Sequence, residues 1–217
     1  MEKIKVYFIE QKQLLLYIEL IIFFVLFPLI GVFSFKKIYP LPYIIIGGIL
    51  SSIYLCKKRS FRVSKFSFLN VKKYLPEMLY RFFLLSILSL ITTFIFWKDD
   101  LFLFINKGFY FWVSLVGIYS LAAVLPQEII YRKFMFERYA LVFSEKTIFH
   151  ISSLVFGFGH IIYQNIISFT LALIGGYIFS YTYLKTKSLF LVTLEHILYG
   201  SMLYTIGIGK FFVMNIW

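Results

Sequence analysis

The chain has 217 residues, 61% of them hydrophobic and 15% charged, with a formal net charge of +12. A mean hydropathy of +0.86 excludes a soluble globular domain, which needs more polar surface than this composition supplies. One cysteine, Cys56, excludes intramolecular disulfides and cysteine metal clusters, and is expected to pack as a small apolar residue.

Crossing a hydrocarbon layer takes about 20 apolar residues of helix, because lipid offers backbone groups no hydrogen-bond partners. The polar stretch Met1 to Gln13 leads into a first span, Leu14 to Phe35, too long for a signal-peptide core and kinked by Pro28. The short Lys36-Lys37 turn joins it to a second span, Pro42 to Cys56, and a basic loop comes next. A third span, Met78 to Trp97, ends on an aromatic interfacial anchor. Leu101 to Tyr110, interrupted by Lys107-Gly108, reads equally as an interfacial segment and as the start of a fourth helix, which continues through Leu121 to Arg138. Thr147 to Ile162, Asn165 to Leu184 and Ser188 to Ile206 complete the set. The expected fold is all-α: a polytopic transmembrane helix bundle of about seven spans, in one domain covering residues 1–217.

The basic residues are distributed asymmetrically. Seven spans with a cytoplasmic N-terminus place 17 Lys and Arg residues on the inner side and 5 on the outer side, as the positive-inside rule requires. The positive charge is thereby assigned to topology and not to nucleic acid, although the basic loop suits anionic lipid headgroups. The expected setting is multi-pass insertion in the cell membrane, with the lipid bilayer as a partner.

Ionisable groups inside spans are costly, and each is a functional candidate. Glu19 and His150 lie near interfaces by spacing from Lys12 and Lys146. Glu128 and Arg132, at i,i+4, share a helix face and can form an ion pair. His160 comes directly after Phe156-Gly157-Phe158-Gly159, whose glycines admit close approach of another backbone, a substrate peptide included. His196 sits mid-helix; its neighbour Glu195 points about 100° away around the helix. At ~1.5 Å per residue, Glu128 is ~15 Å from Arg138, His160 ~21 Å from Lys146 and His196 ~14 Å from Lys187. One carboxylate and two imidazoles thus reach a common layer, expected to open towards the cytoplasm. Such a trio can activate water and stabilise an oxyanion, or it can hold a metal.

At these residues the chain resembles the CPBP intramembrane proteases, also called the CAAX protease and bacteriocin-processing or Abi family. Their pattern is Glu-Glu-x-x-x-Arg, then Phe-x-x-x-His, then His-x-x-x-Asn, on separate core helices. The matching segments are Gln127-Glu128-Ile129-Ile130-Tyr131-Arg132, Phe156-Gly157-Phe158-Gly159-His160 and His196-Ile197-Leu198-Tyr199-Gly200. The resemblance covers a core of about residues 121–207. Gln127 replaces the first glutamate of the pattern, the general base, and Gly200 stands where an asparagine is frequent. The resemblance implies an endopeptidase acting on membrane-associated polypeptides. Glu128 activates water, His160 helps hold it, His196 stabilises the oxyanion and Arg132 fixes Glu128, with Gln127, Phe156 and Gly200 in support. It leaves the cofactor open between a divalent metal such as zinc, on Glu128, His160 and His196, and none. Two alternatives stand beside it: a non-catalytic peptide-binding member, such as a bacteriocin-immunity or scaffold protein, and a small transporter using the same polar layer.

Overall fold

A computed structural model describes residues 2–34, 40–58 and 68–213. No strand occurs among them. Among the described residues, six helices are long and apolar enough to cross a membrane: α1 (Glu10–Phe33), α2 (Pro40–Lys57), α3 (crossing over Val71–Phe96), α4 (Phe109–Leu141), α6 (Ile166–Thr186) and α7 (Leu189–Ile206). A shorter helix, α5 (Glu145–Gly159), lies between α4 and α6. The chain is therefore a polytopic helical bundle.

The expected span Thr147 to Ile162 corresponds to α5. At 15 residues its α-helical length is ~22 Å, short of the ~30 Å of a hydrocarbon core. The helix ends because the chain tightens into a 3-10 turn over His160–Tyr163. Its two ends nevertheless lie against opposite ends of its neighbours. Glu145 pairs with Lys187 beyond the end of α6, and the 3-10 turn packs on Phe27–Ser34 at the far end of α1.

Local sequence accounts for the helix ends. Ser144, Asn165 and Ser188 each accept a hydrogen bond from a backbone N–H three residues on, capping α5, α6 and α7. The ambiguous stretch 101–110 resolves into a four-residue helix, Leu103–Asn106, and a break at Gly108 with φ of 124°, after which α4 begins. Just ahead of Pro28, where a kink is expected, a π-helical turn occupies Ile22–Leu26. The first span's expected end at Phe35, the Lys36-Lys37 turn and the loop residues Arg59, Arg62 and Lys65 lie outside the described residues.

Polar ties join the helices near their basic ends. Arg138 of α4 grips Glu19 of α1 through two contacts of 3.0 and 2.5 Å, and the Tyr139 hydroxyl donates to the same carboxylate at 3.2 Å. Arg81 of α3 reaches Glu195 and Thr182 at 3.0 and 2.9 Å, which turns Glu195 away from His196. Cys56 is exposed, contrary to the packed position expected from its size: it lies at the edge of an open, apolar groove between α2 and α4, lined also by Ser52, Leu125 and Ile129.

Candidate active site

α4 passes through Pro126 without stopping, as the alignment of depths requires. It is not uniform, however: π-helical turns occupy Tyr119–Val124 and Ile129–Phe134, framing the α-helical turn Leu125–Glu128. Each π turn rotates the side chains beyond it away from the facing they would have in an unbroken α-helix. Within the turn between them, adjacent residues Gln127 and Glu128 lie about 100° apart around the axis and serve different surroundings.

Glu128 is fully buried. Its Oε1 accepts a hydrogen bond of 2.8 Å from Nδ1 of His196 on α7, and its Oε2 lies 3.3 Å from Nε of Arg132. Arg132, also fully buried, donates through Nη1 to Ser152 Oγ at 2.9 Å and lies over the Phe156 ring at 4.8 Å. Ser152 in turn donates to the Tyr131 carbonyl at 2.6 Å. A buried chain of contacts, Ser152, Arg132, Glu128 and His196, therefore ties α5, α4 and α7 together. Ser152 was not singled out from sequence; its signal is a Ser-Ser pair in an otherwise apolar helix.

His160 is held differently. Its Nδ1 donates to the Phe156 carbonyl of its own helix at 2.8 Å. Phe156 stands between the two imidazoles, with ring centroids 5.0 Å from His160 and 5.5 Å from His196, and Phe179 stacks on His196 at 4.3 Å. The acceptors on Nδ1 are a carboxylate in one case and a carbonyl in the other. Nδ1 must therefore carry the proton in both rings, leaving Nε2 as the proton-accepting nitrogen in the neutral form.

Both histidines line a cavity of about 630 Å³, together with Gln127, Tyr119, Phe156 and Gly200, within the size range of ligand pockets. Glu128 and Arg132 do not line it. The carboxylate thus meets the cavity only through His196. The rest of the lining is mostly apolar and runs past Leu171 and Ile208 to Pro40, Trp97 and Phe212. Those last residues mark the end of the bundle with few basic residues. The cavity thereby departs from the expected opening towards the strongly basic end, where Arg138 and Glu19 knit α1 to α4.

The glycines also differ from expectation. A Cβ on Gly157 would lie 2.9 Å from the Leu173 backbone, and one on Gly176 would lie 2.6 Å from the Ser153 carbonyl oxygen. These residues bring α5 and α6 together, so the close backbone approach is used by the protein's own helix. Gly159 is crowded by the Tyr131 hydroxyl at 2.8 Å.

Among the described residues, no group of three or more His, Cys, Asp or Glu side chains is placed to hold a metal ion. The donor set proposed for one is divided. Glu128 is committed to His196 and Arg132, while His160 is tied to its own backbone.

Residues 108–202 match the family model described as "Type II CAAX prenyl endopeptidase Rce1-like". This is the CPBP/CAAX protease family that the three motifs resemble, and the matched segment contains all seven of the site residues read from sequence. No curated protein and no solved structure matches the chain.

Proposed function

From a chain that carries an Rce1-like CAAX endopeptidase segment over residues 108–202, we propose an intramembrane endopeptidase that hydrolyses membrane-associated polypeptides in the cell membrane, with its N-terminus cytoplasmic. The observation that carries this reading is the buried Glu128–His196 hydrogen bond at the wall of a largely apolar cavity. A carboxylate on Nδ1 fixes the tautomer of His196 and strengthens Nε2 as a base, the logic of carboxylate–histidine pairs in hydrolases. Because Glu128 does not line the cavity, its part is to orient His196 and stabilise the imidazolium, while Arg132 pairs with the other carboxylate oxygen. His196 Nε2 takes the proton of the attacking water. His160 Nε2 helps hold that water, and the Gln127 amide is placed to contact the substrate. Every step is assigned to side chains of the chain, with none routed through a metal. The apolar lining suits an apolar polypeptide segment or a lipidated tail.

The test uses the full chain reconstituted in liposomes, with a panel of fluorogenic membrane-anchored peptides that includes an S-farnesylated cysteine peptide. His196→Ala is expected to lower cleavage by about 10²–10⁴-fold, the range for losing a general base. Glu128→Ala should act in the same direction. Undiminished cleavage in Glu128→Ala, His160→Ala and His196→Ala would sink the reading. One observation favours a second reading, a non-catalytic member that binds a peptide: the cavity presents Gln127, an amide, at the position of the family's base. Under that reading the peptides bind and stay intact, and only Gln127→Glu brings cleavage.

A further inference from the structure

The two histidines of the site present proton acceptors to the cavity. With Nδ1–H of both imidazoles already donated to Glu128 and to Phe156, the two cavity-facing rings offer Nε2 as a base. Neither supplies, in that state, the hydrogen bond that an oxyanion needs. Hydrolysis of a peptide bond generates such an oxyanion, and a preorganised donor aimed at it contributes about 10²–10³ in rate.

The geometry points to the Tyr119 hydroxyl as that donor, in an inference that rests on the peptidase reading above. Tyr119 opens the first π turn of α4, and its ring lies edge-on to His196 with centroids 6.1 Å apart. It lines the cavity alongside His160, His196 and Gln127. Its hydroxyl lies over Gly200, one helical turn beyond His196 on α7. A Cβ on Gly200 would fall 2.0 Å from the Tyr119 oxygen, 2.3 Å from Cζ and 2.4 Å from Cε1. Gly200 is therefore a vacated position, and the phenol of the opposite helix fills it. The two residues form a complementary pair in which α7 gives up a side chain and α4 delivers an O–H to the same spot. A neutral phenol keeps its proton at physiological pH and can donate it in a hydrogen bond. Tyr204 packs edge-on against the Tyr119 ring at 5.2 Å and limits its swing.

As the water oxygen bonds to the carbonyl carbon, His196 Nε2 takes one water proton. The carbonyl π pair moves onto its oxygen, which accepts the Tyr119 O–H hydrogen bond. On collapse the C–N bond breaks, the electron pair re-forms the carbonyl, and His196 returns its proton to the leaving nitrogen. Tyr119 transfers no proton.

Kinetics of the reconstituted full chain on whichever panel peptide it cleaves decide the matter. Tyr119→Phe keeps the ring over Gly200 and removes only the hydroxyl, so a space-filling role would leave kcat unmoved. The expected result is a fall in kcat of about 10²-fold, with KM changed less than about 3-fold and an unchanged melting profile. Tyr119→Ala clears the space over position 200, and adding Gly200→Asn should recover at least about 10-fold of the kcat lost in Tyr119→Ala, because the carboxamide N–H restores a donor from the other helix. An unchanged kcat in Tyr119→Phe, beside a His196→Ala variant that has lost cleavage, would overturn the role of Tyr119 and leave the peptidase standing. If the wild-type chain cleaves no peptide of the panel, the peptidase reading and Tyr119's part in it fall together.

Discussion

The first four spans and the last two are built on opposite rules. In α1 to α3 and the most apolar stretch of α4, between 6% and 17% of the residues are buried; in α6 and α7 the shares are 39% and 44%. The outer helices present Phe23, Phe83, Ile95 and Leu121 outwards, which is harmless where the surroundings are hydrocarbon. The inner ones bury Ser168, Ser180, Thr182 and Gly176. Lipid is as apolar as leucine, so hydrophobicity does not drive helices together in a membrane; close packing of small residues and interhelical hydrogen bonds do. α4 joins both worlds, apolar and outward-facing at its start, buried and charged from Gln127 to Tyr139.

That contrast can be broken most forcefully at Arg132. Replacing it by Ala strands the Glu128 carboxylate in the interior, and the expected cost is about 3–5 kcal/mol, read from unfolding in mixed detergent micelles. The paired change Glu128→Gln with Arg132→Met removes both charges and should restore most of the stability without restoring cleavage. A smaller effect is expected at Gly176, where Val must displace the Ser153 backbone of α5; overpacking of this kind costs about 1–3 kcal/mol, and the same unfolding measurement checks it. Phe83→Ala on the outer face of α3, where the ring is exposed and touches the neighbouring Phe82, should change stability by less than about 0.5 kcal/mol, as at other surface positions. A loss at Phe83 equal to that at Gly176 would mean that α3 is enclosed, and the division between wall and core would fail.

Sequence carried the bundle because hydropathy reports how long each segment stays apolar. It carried the Glu128–Arg132 pair through simple spacing, and the meeting of Glu128 with His196 through depth, since rise per residue is nearly constant in a helix. Azimuth was less legible. Two π turns in α4 shift the rotation of the turn that carries Gln127 and Glu128 relative to the rest of the helix, and nothing in the local residue types announces them. The attachment of His160 to its own backbone depends on where α5 tightens. Tyr119 carried no contrast in a chain that is 22% aromatic, whereas its partner Gly200 was visible as a departure from a family pattern. Charge counting fixed no side for the cavity, because opening depends on how helices splay, not on the residues beyond their ends.

The π turn over Tyr119–Val124 has a consequence for inheritance. A π turn holds one residue more than the α-helical repeat would, so losing a single codon from this stretch lets the helix close up regularly. Everything before the deletion would then swing by about 100° relative to Gln127, carrying Tyr119 off the face of α7. In lineages descended from this chain, the extra residue, the tyrosine and the glycine at position 200 should be kept or lost as a set. A sequence one residue shorter in this stretch should show a side chain restored at the glycine's place.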